Sequence, residues 1–288
     1  YPPANLGSSA TTDGLSIIGV YTDTTPKQGI KKCSVHGVTF IASDASWETA
    51  GGDSGLNISA DTDVVYDNTF IGYRDLGVYH SSDSVSDAGL GLAKSFKCYA
   101  NTFKRCMFGV SSKRGAENGG IYANTFINCI QAVATEPLNK RSKAFAVFGN
   151  TIDGYIFGLD IGSTDGASIT NNILLNAGIL LEDGSVPIVN FTNPQAMTLK
   201  GVTDSIINSN TIVGKIAGYS ALSCEGIVFE SQDVGAGAVN SNDNLVMSNI
   251  IKNIDEPFTS SDFLNNSIAL NKVSGTNDDS WNMAIRSL

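Results

Sequence analysis

The sequence predicts an all-β protein, a right-handed parallel β-helix whose coils each carry three short strands. Three observations predict it. An Asn-centred tripeptide recurs along the chain, a small-then-apolar dipeptide follows it at a nearly constant distance, and the composition favours strands and turns over helices. Of 288 residues, 30 are Gly and only 16% are charged, while 42% are apolar, which points away from a helical bundle and from disorder. Stretches such as 210–220 are built mostly from β-branched residues, Gly and Asn, which suit pleated strands and tight turns.

The tripeptide reads Asn68-Thr69-Phe70, Asn101-Thr102-Phe103, Asn124-Thr125-Phe126, Asn150-Thr151-Ile152, Asn171-Asn172-Ile173, Asn210-Thr211-Ile212, Asn249-Ile250-Ile251 and Asn266-Ser267-Ile268. Three residues before each Asn stands Val65, Cys98, Ile121, Val147, Ile207, Val246 or Phe263, with Ser168 the exception. After the Asn come the pairs Gly77-Val78, Gly109-Val110, Ala132-Val133, Gly158-Leu159, Gly178-Ile179 and Gly218-Tyr219. The pattern has a direct physical reading. A strand ends, Asn takes a left-handed or bridging turn that its short side chain tolerates, and a new strand begins with its large apolar residue inward. Asn side chains at one bend of successive coils can bond along the stack. Intervals of 23, 26 and 21 residues between Asn101, Asn124, Asn150 and Asn171 suit three strands per coil, and gaps of 33 and 39 imply inserted loops. Parallel strands joined by crossovers are right-handed by strong default. The Leu spacing of a leucine-rich repeat is absent, and a β-sandwich would show hairpin alternation instead.

The unit Asn-Thr-(Phe/Ile), followed by Gly-(Val/Leu), resembles the repeat of the pectate-lyase-like parallel β-helix superfamily, which includes polygalacturonases and bacteriophage tailspikes. The resemblance covers about residues 29–270. It leaves 1–28 as an opening segment and first coil, and 271–288 as a tail or cap. It implies that the Asn bends join second to third strands and that the Gly-Val pairs begin first strands. It also implies that saccharide binds on the outer face of the first sheet. The fold hosts hydrolases, lyases, epimerases and plain binders, so it does not choose among them.

Alternation along a strand turns the Gly-Val pairs into a map of that face. One outward column reads Tyr79, Ser111, Ala134, Asp160, Leu180; the next reads Ser81, Lys113, Glu136, Gly162, Glu182. Glu230 continues the second column if the next true strand is 226–230 rather than one at Gly218. Glu136, Asp160 and Glu182 then lie on three successive coils, the outer two roughly 9–10 Å apart at ≈ 4.8 Å per coil. Inverting glycosidases hold acid and base at about that distance, and crowding raises a carboxyl's pKa toward acid duty. Glu136, Asp160 and Glu182 are therefore the candidate catalytic residues, against the plainer reading that acidic groups solubilise a sheet face. Lys113, Arg114, Lys140, Arg141 and Lys143 form the notable basic cluster. Lys113, Arg114 and Arg141 are candidates to grip an anionic sugar, with Tyr79, His80 and Glu230 as further substrate contacts; a solvated loop is the alternative for the cations.

The leading expectation is a tailspike-like protein that binds and hydrolyses a bacterial surface polysaccharide, without a cofactor. A Ca²⁺-dependent polysaccharide lyase is the enzymatic rival, since three carboxylates can hold the ion and a cation can take the α-proton. A non-catalytic receptor-binding spike is the third reading. The polygalacturonase signatures Asn-Thr-Asp and Gly-His-Gly are missing. His36 and His80 are the only imidazoles, and nothing near either in sequence completes a triad with a Ser. Tyr66, Tyr99, Tyr122 and Phe148 recur two residues before an Asn and read as a structural aromatic stack. Gly-rich runs such as 87–91 lack the strand-to-helix setting of a phosphate loop.

A net charge of −10 argues against nucleic acid as a partner. No stretch approaches the roughly 18 uncharged apolar residues of a membrane span. Five Cys with no C-x-x-C pair behave as small core residues rather than zinc ligands or a disulfide framework. The chain opens without Met or leader, which reads as a mature or excised piece of a virion or extracellular protein. Uncovered strand edges recruit other chains, and the resemblance to tailspikes implies a homotrimer.

Overall fold

Asn corners set the architecture. The computed structural model describes residues 14–18, 33–42, 54–59, 63–73, 75–81, 93–113, 116–136, 141–179, 193–216, 223–233, 237–260, 265–275 and 286–287. Every element among them is a strand, and nearly every pairing is parallel, with one coil stacked on the next. The protein is a parallel β-helix, as the repeat predicts.

Each coil runs through a first sheet, a second sheet and a third sheet, and in four of the described coils a short corner strand joins first to second. The first sheet stacks Leu15–Ile18, Leu56–Ser59, Leu76–Ser81, Phe108–Lys113, the second halves of Thr125–Glu136 and Thr151–Gly162, then Gln195–Lys200, Glu225–Glu230 and Glu256–Ser260. The corner strands Ala93–Lys94, Ala116–Glu117, Ser142–Lys143 and Thr164–Asp165 form a four-stranded ladder. The second sheet runs from Cys33–His36 to Ser267–Ala269, and the third from Thr39–Ile41 to Lys272–Ser274. The coils therefore continue past residue 270, and Leu15–Ile18 already pairs with Leu56–Ser59. Trp281 and Met283 lie outside the described residues.

Between second and third sheets the stacked Asn side chains form one continuous ladder. The Oδ1 of each accepts both the backbone N–H and the Nδ2 of the Asn one coil earlier, from Asn68 through Asn101, Asn124, Asn150, Asn172, Asn210 and Asn249 to Asn271, at 2.9–3.1 Å. The left-handed residue of the bend is the one before the Asn: Ala100, Ala123, Asn171, Ser209, Ser248 and Leu270 have φ near +55°. The Asn supplies bonds, and its predecessor supplies the turn.

This corrects two members of the predicted repeat. In the Asn171-Asn172 pair the ladder residue is Asn172, so Leu174 points inward and Ile173 outward. The residue three places earlier is then the buried Ile169, and the apparent exception at Ser168 disappears. Asn266 precedes a second-sheet strand and belongs to a shorter ladder, in which Ser205 N–H donates to Asn244 and Asn244 to Asn266. Asn271 occupies the true bend.

The core is a narrow column. Phe40, Phe70, Phe103 and Phe126 stack at 4.8, 4.9 and 4.8 Å between ring centroids, beside inward Val78, Val110, Val133, Leu159, Met197 and Ile227 of the first sheet. Their crowding explains the small residue before each: a Cβ on Gly109 would stand 2.5 Å from the Phe126 ring. The five Cys are free thiols, four of them buried, and burial pushes the Cys224 thiol up to about 11. His36, Tyr66, Tyr99, Tyr122 and Phe148 stack face to face outside the second sheet at 4.7–5.2 Å.

Candidate functional site

Three outward columns line the first-sheet face. The pairing register stacks Phe108, Gln131, Phe157, Gln195, Glu225 and Glu256 in one. The middle column holds Tyr79, Ser111, Ala134, Asp160, Thr198, Val228 and Thr259. The far column holds Ser81, Lys113 and Glu136, then Gly162, Lys200 and Glu230. Both columns agree with the sequence expectation as far as Asp160 and Gly162, and Glu230 joins the far one through strand Glu225–Glu230.

Beyond Gly162 the expectation fails. The next first-sheet strand is Gln195–Lys200, so Thr198 stands where Leu180 was placed and Lys200 where Glu182 was placed. Leu180 and Glu182 lie outside the described residues, as do Arg114 and Lys140. Lys113 and Glu136 are placed by backbone, directly paired in adjacent coils. The line of three successive carboxylates is therefore not what the register makes: a cation follows Gly162.

Asp160 sits at the centre of a polar network. Its Oδ2 accepts from Gln131 Nε2 at 2.8 Å and from Lys200 Nζ at 3.0 Å. One coil further, Thr198 Oγ1 donates to Gln195 Oε1 at 2.8 Å, and Gln195 Nε2 donates to Glu225 Oε2 at 2.6 Å. Glu225 and Glu256 are direct partners in adjacent strands, and Ser223 Oγ donates to Glu256 Oε1 at 2.8 Å. Partial burial raises the Glu225 pKa above its ordinary value; Glu256 and Glu230 add to the rise, against the bond from Gln195 and the nearby Thr259 hydroxyl. A carboxyl so placed keeps its proton to higher pH. Gly162 leaves an opening in the far column that the side chain of Gln232 covers: a Cβ there would meet Gln232 Oε1 at 2.5 Å. Gln232 belongs to the antiparallel hairpin Gln232–Asp233 with Ala238–Val239, which also presses on Gly201.

Two proposed contacts point elsewhere. His80 is wholly buried, because it alternates with outward Tyr79 and faces the core. Its ring stacks on Phe96 at 4.0 Å, its Nδ1 lies 3.1 Å from Ser112 Oγ, and its Nε2 lies 3.9 Å from Asp63 Oδ2. Burial drives its pKa down to about 3. Asp, His and Ser do meet here, contrary to the sequence reading, but at zero exposure they form an interior polar cluster that no polysaccharide reaches. Arg141 spans coils instead of meeting the face: its Nη2 donates to the Thr164 and Gly201 carbonyls at 3.3 and 3.4 Å and to Thr203 Oγ1. Lys143 stands beside Glu117 and Asp165 in the corner ladder.

Sequence reading missed Gln131, Gln195, Lys200, Glu225 and Glu256. A signal for Lys200 existed. Ala196-Met197 is itself a small-then-apolar pair, and taking it as the strand start puts Thr198 and Lys200 outward. Among the described residues, no group of three or more His, Cys, Asp or Glu side chains is gathered to hold a metal ion.

No protein-family model matches the sequence, and no curated protein does. Solved structures do match. An alginate lyase from Paenibacillus sp. strain FPU-7 superposes with a TM-score of 0.50 at 12% identity, covering 84% of this chain and 99% of that one. The A-module of a mannuronan C-5 epimerase, AlgE6, from Azotobacter vinelandii matches at TM-score 0.30 and 12% identity, covering 80% of this chain and 65% of that one. At these identities the likeness is one of fold.

Proposed function

Taking as premise the right-handed parallel β-helix of the pectate-lyase-like proteins, we propose that this chain binds a bacterial surface polysaccharide along its first-sheet face and hydrolyses it. One observation carries the reading: Glu225 and Glu256 are stacked as direct partners on that face, and their environments differ. Adjacent strands lie ≈ 4.8 Å apart, close to the 5–5.5 Å between carboxyls in retaining glycosidases. Glu225, half-buried and pushed up by burial and by Glu256, is the proton donor to the glycosidic oxygen. Glu256, exposed and held by Ser223, is the carboxylate that attacks or stabilises the sugar carbon. A carboxyl whose partial burial raises its pKa, beside a second and exposed carboxyl, is the usual acid–base arrangement. Asp160, held by Gln131 and Lys200 two coils away, serves as a sugar-binding centre, with Tyr79 and Glu230 along the same face. Glu136 and Lys113, paired in adjacent coils, extend it further.

Elimination is the competing chemistry, and the alginate lyase of like fold keeps it in view. Its signature is an unsaturated, ultraviolet-absorbing product; hydrolysis yields new reducing ends without that absorbance. Glu225→Gln should lower release of reducing ends about a hundred- to ten-thousand-fold, the usual worth of a general acid, with polysaccharide binding retained. Full turnover in this variant would remove Glu225 from the chemistry, and a chain that releases no ends from any host polysaccharide is a binder. The virion setting and a three-fold assembly belong to the same proposal, by resemblance to tailspikes.

A further inference from the structure

We infer that the glycan crossing the Glu225–Glu256 end of the face carries protonated amino groups, as in glucosamine-type sugars, and not uronates. The inference rests on the hydrolytic reading above and deepens it. At this end the described carboxylates outnumber the cations, and each cation is already paired: Lys200 Nζ lies 3.0 Å from Asp160, and Lys215 Nζ 2.8 Å from Asp255. Glu225, Glu230 and Glu256 have no cationic partner among the described residues.

The hydrogen-bonding groups show the same bias. The donors here are spent on neighbours: Gln131 Nε2 on Asp160, Gln195 Nε2 on Glu225, Thr198 on Gln195 and Ser223 on Glu256. Thr259 Oγ1 is left over as a donor, but the carboxylates of Glu225, Glu230 and Glu256 outnumber it as acceptors. An acceptor-rich, negatively charged face complements a donor-rich cation, and an ammonium on a carboxylate forms one of the stronger hydrogen bonds. Glu230, on the strand of Glu225 and next to Lys200 in the far column, takes the ammonium, while a polyuronate would meet like charge.

Binding of the full chain to a fluorescent glucosamine hexamer and a mannuronate hexamer, at 20 and 300 mM NaCl, tests this directly. The glucosamine hexamer should bind at least tenfold tighter at low salt, as two or more unscreened charge contacts require. The preference should shrink at high salt, and Glu230→Lys should cut it severalfold. Equal or tighter binding of the mannuronate hexamer, or no binding of either, overturns the inference. Neither result bears on hydrolysis, which stands or falls on reducing-end release by the wild type and Glu225→Gln.

Discussion

The Asn corner and the first-sheet face are built by the same stacking of coils, and they use it in opposite ways. At the corner one residue type repeats from Asn68 to Asn271, each side chain completing the bonds of its neighbour. On the face the residue changes from coil to coil until the last step: Gln131 gives way to Phe157, then Gln195, then Glu225, and only Glu256 repeats its neighbour. Where an interaction must recur every ≈ 4.8 Å, the side chain is dictated by the neighbour above and below. Where the stack makes no such demand, the column is free to carry chemistry.

Breaking the corner should cost most. Asn150→Leu removes the acceptor of the Asn124 backbone N–H and Nδ2, and the donor to the Ile121 carbonyl, all in the buried interior. Unpaired buried groups cost about 1–3 kcal/mol each, so a loss of about 3 kcal/mol or more in denaturant unfolding is expected; a loss below 1 would mean the ladder is ornamental.

The His80 cluster belongs to neither pattern, and pH isolates it. His80 stays neutral in the folded protein, with a pKa near 3, but titrates at about 6.5 when unfolded. Its unfolded form binds the proton that the folded form refuses, so this stability is complete above pH 6.5 and declines as pH falls toward 3. The loss should reach about 2 kcal/mol by pH 5. Urea midpoints of the wild type and His80→Phe at pH 7.5 and 5 measure it, and a variant as acid-sensitive as the wild type would contradict the burial.

The smallest effect sharpens the other side of the comparison. Lys200 and Asp160 are partly exposed, at 30% and 15%, and such a pair contributes under about 1 kcal/mol. Lys200→Met should therefore leave thermal unfolding nearly unchanged while tightening low-salt binding of the glucosamine hexamer, because it takes a cation off the face. A large drop in melting temperature would make the pair structural.

The same contrast decides what could be read from the chain alone. Asn101, Asn124 and Asn150 announce the corner because each is flanked alike. The repeat blurred where local chemistry was degenerate: Asn171 and Asn172 both suit a bend, one as the left-handed residue and the other as the ladder member. On the face, alternation placed Asp160 and Gly162 correctly because their coil is short. It then failed at Glu182, because residues inserted after Gly178 displace the first-sheet strand to Gln195. Gln131, Glu225 and Glu256 meet their partners only through register, across 29 to 31 residues. The Asp63, His80 and Ser112 cluster likewise joins three coils, and no local pattern foretells it.

The ladder has one more consequence. Successive amides meet at 2.9–3.1 Å whether 22 residues separate them, as between Asn150 and Asn172, or 39, as between Asn210 and Asn249. The axle is thus indifferent to how much chain is looped out between turns. Evolution, or an engineer, can swap those excursions for others, and change what the rod recognises, without altering its pitch.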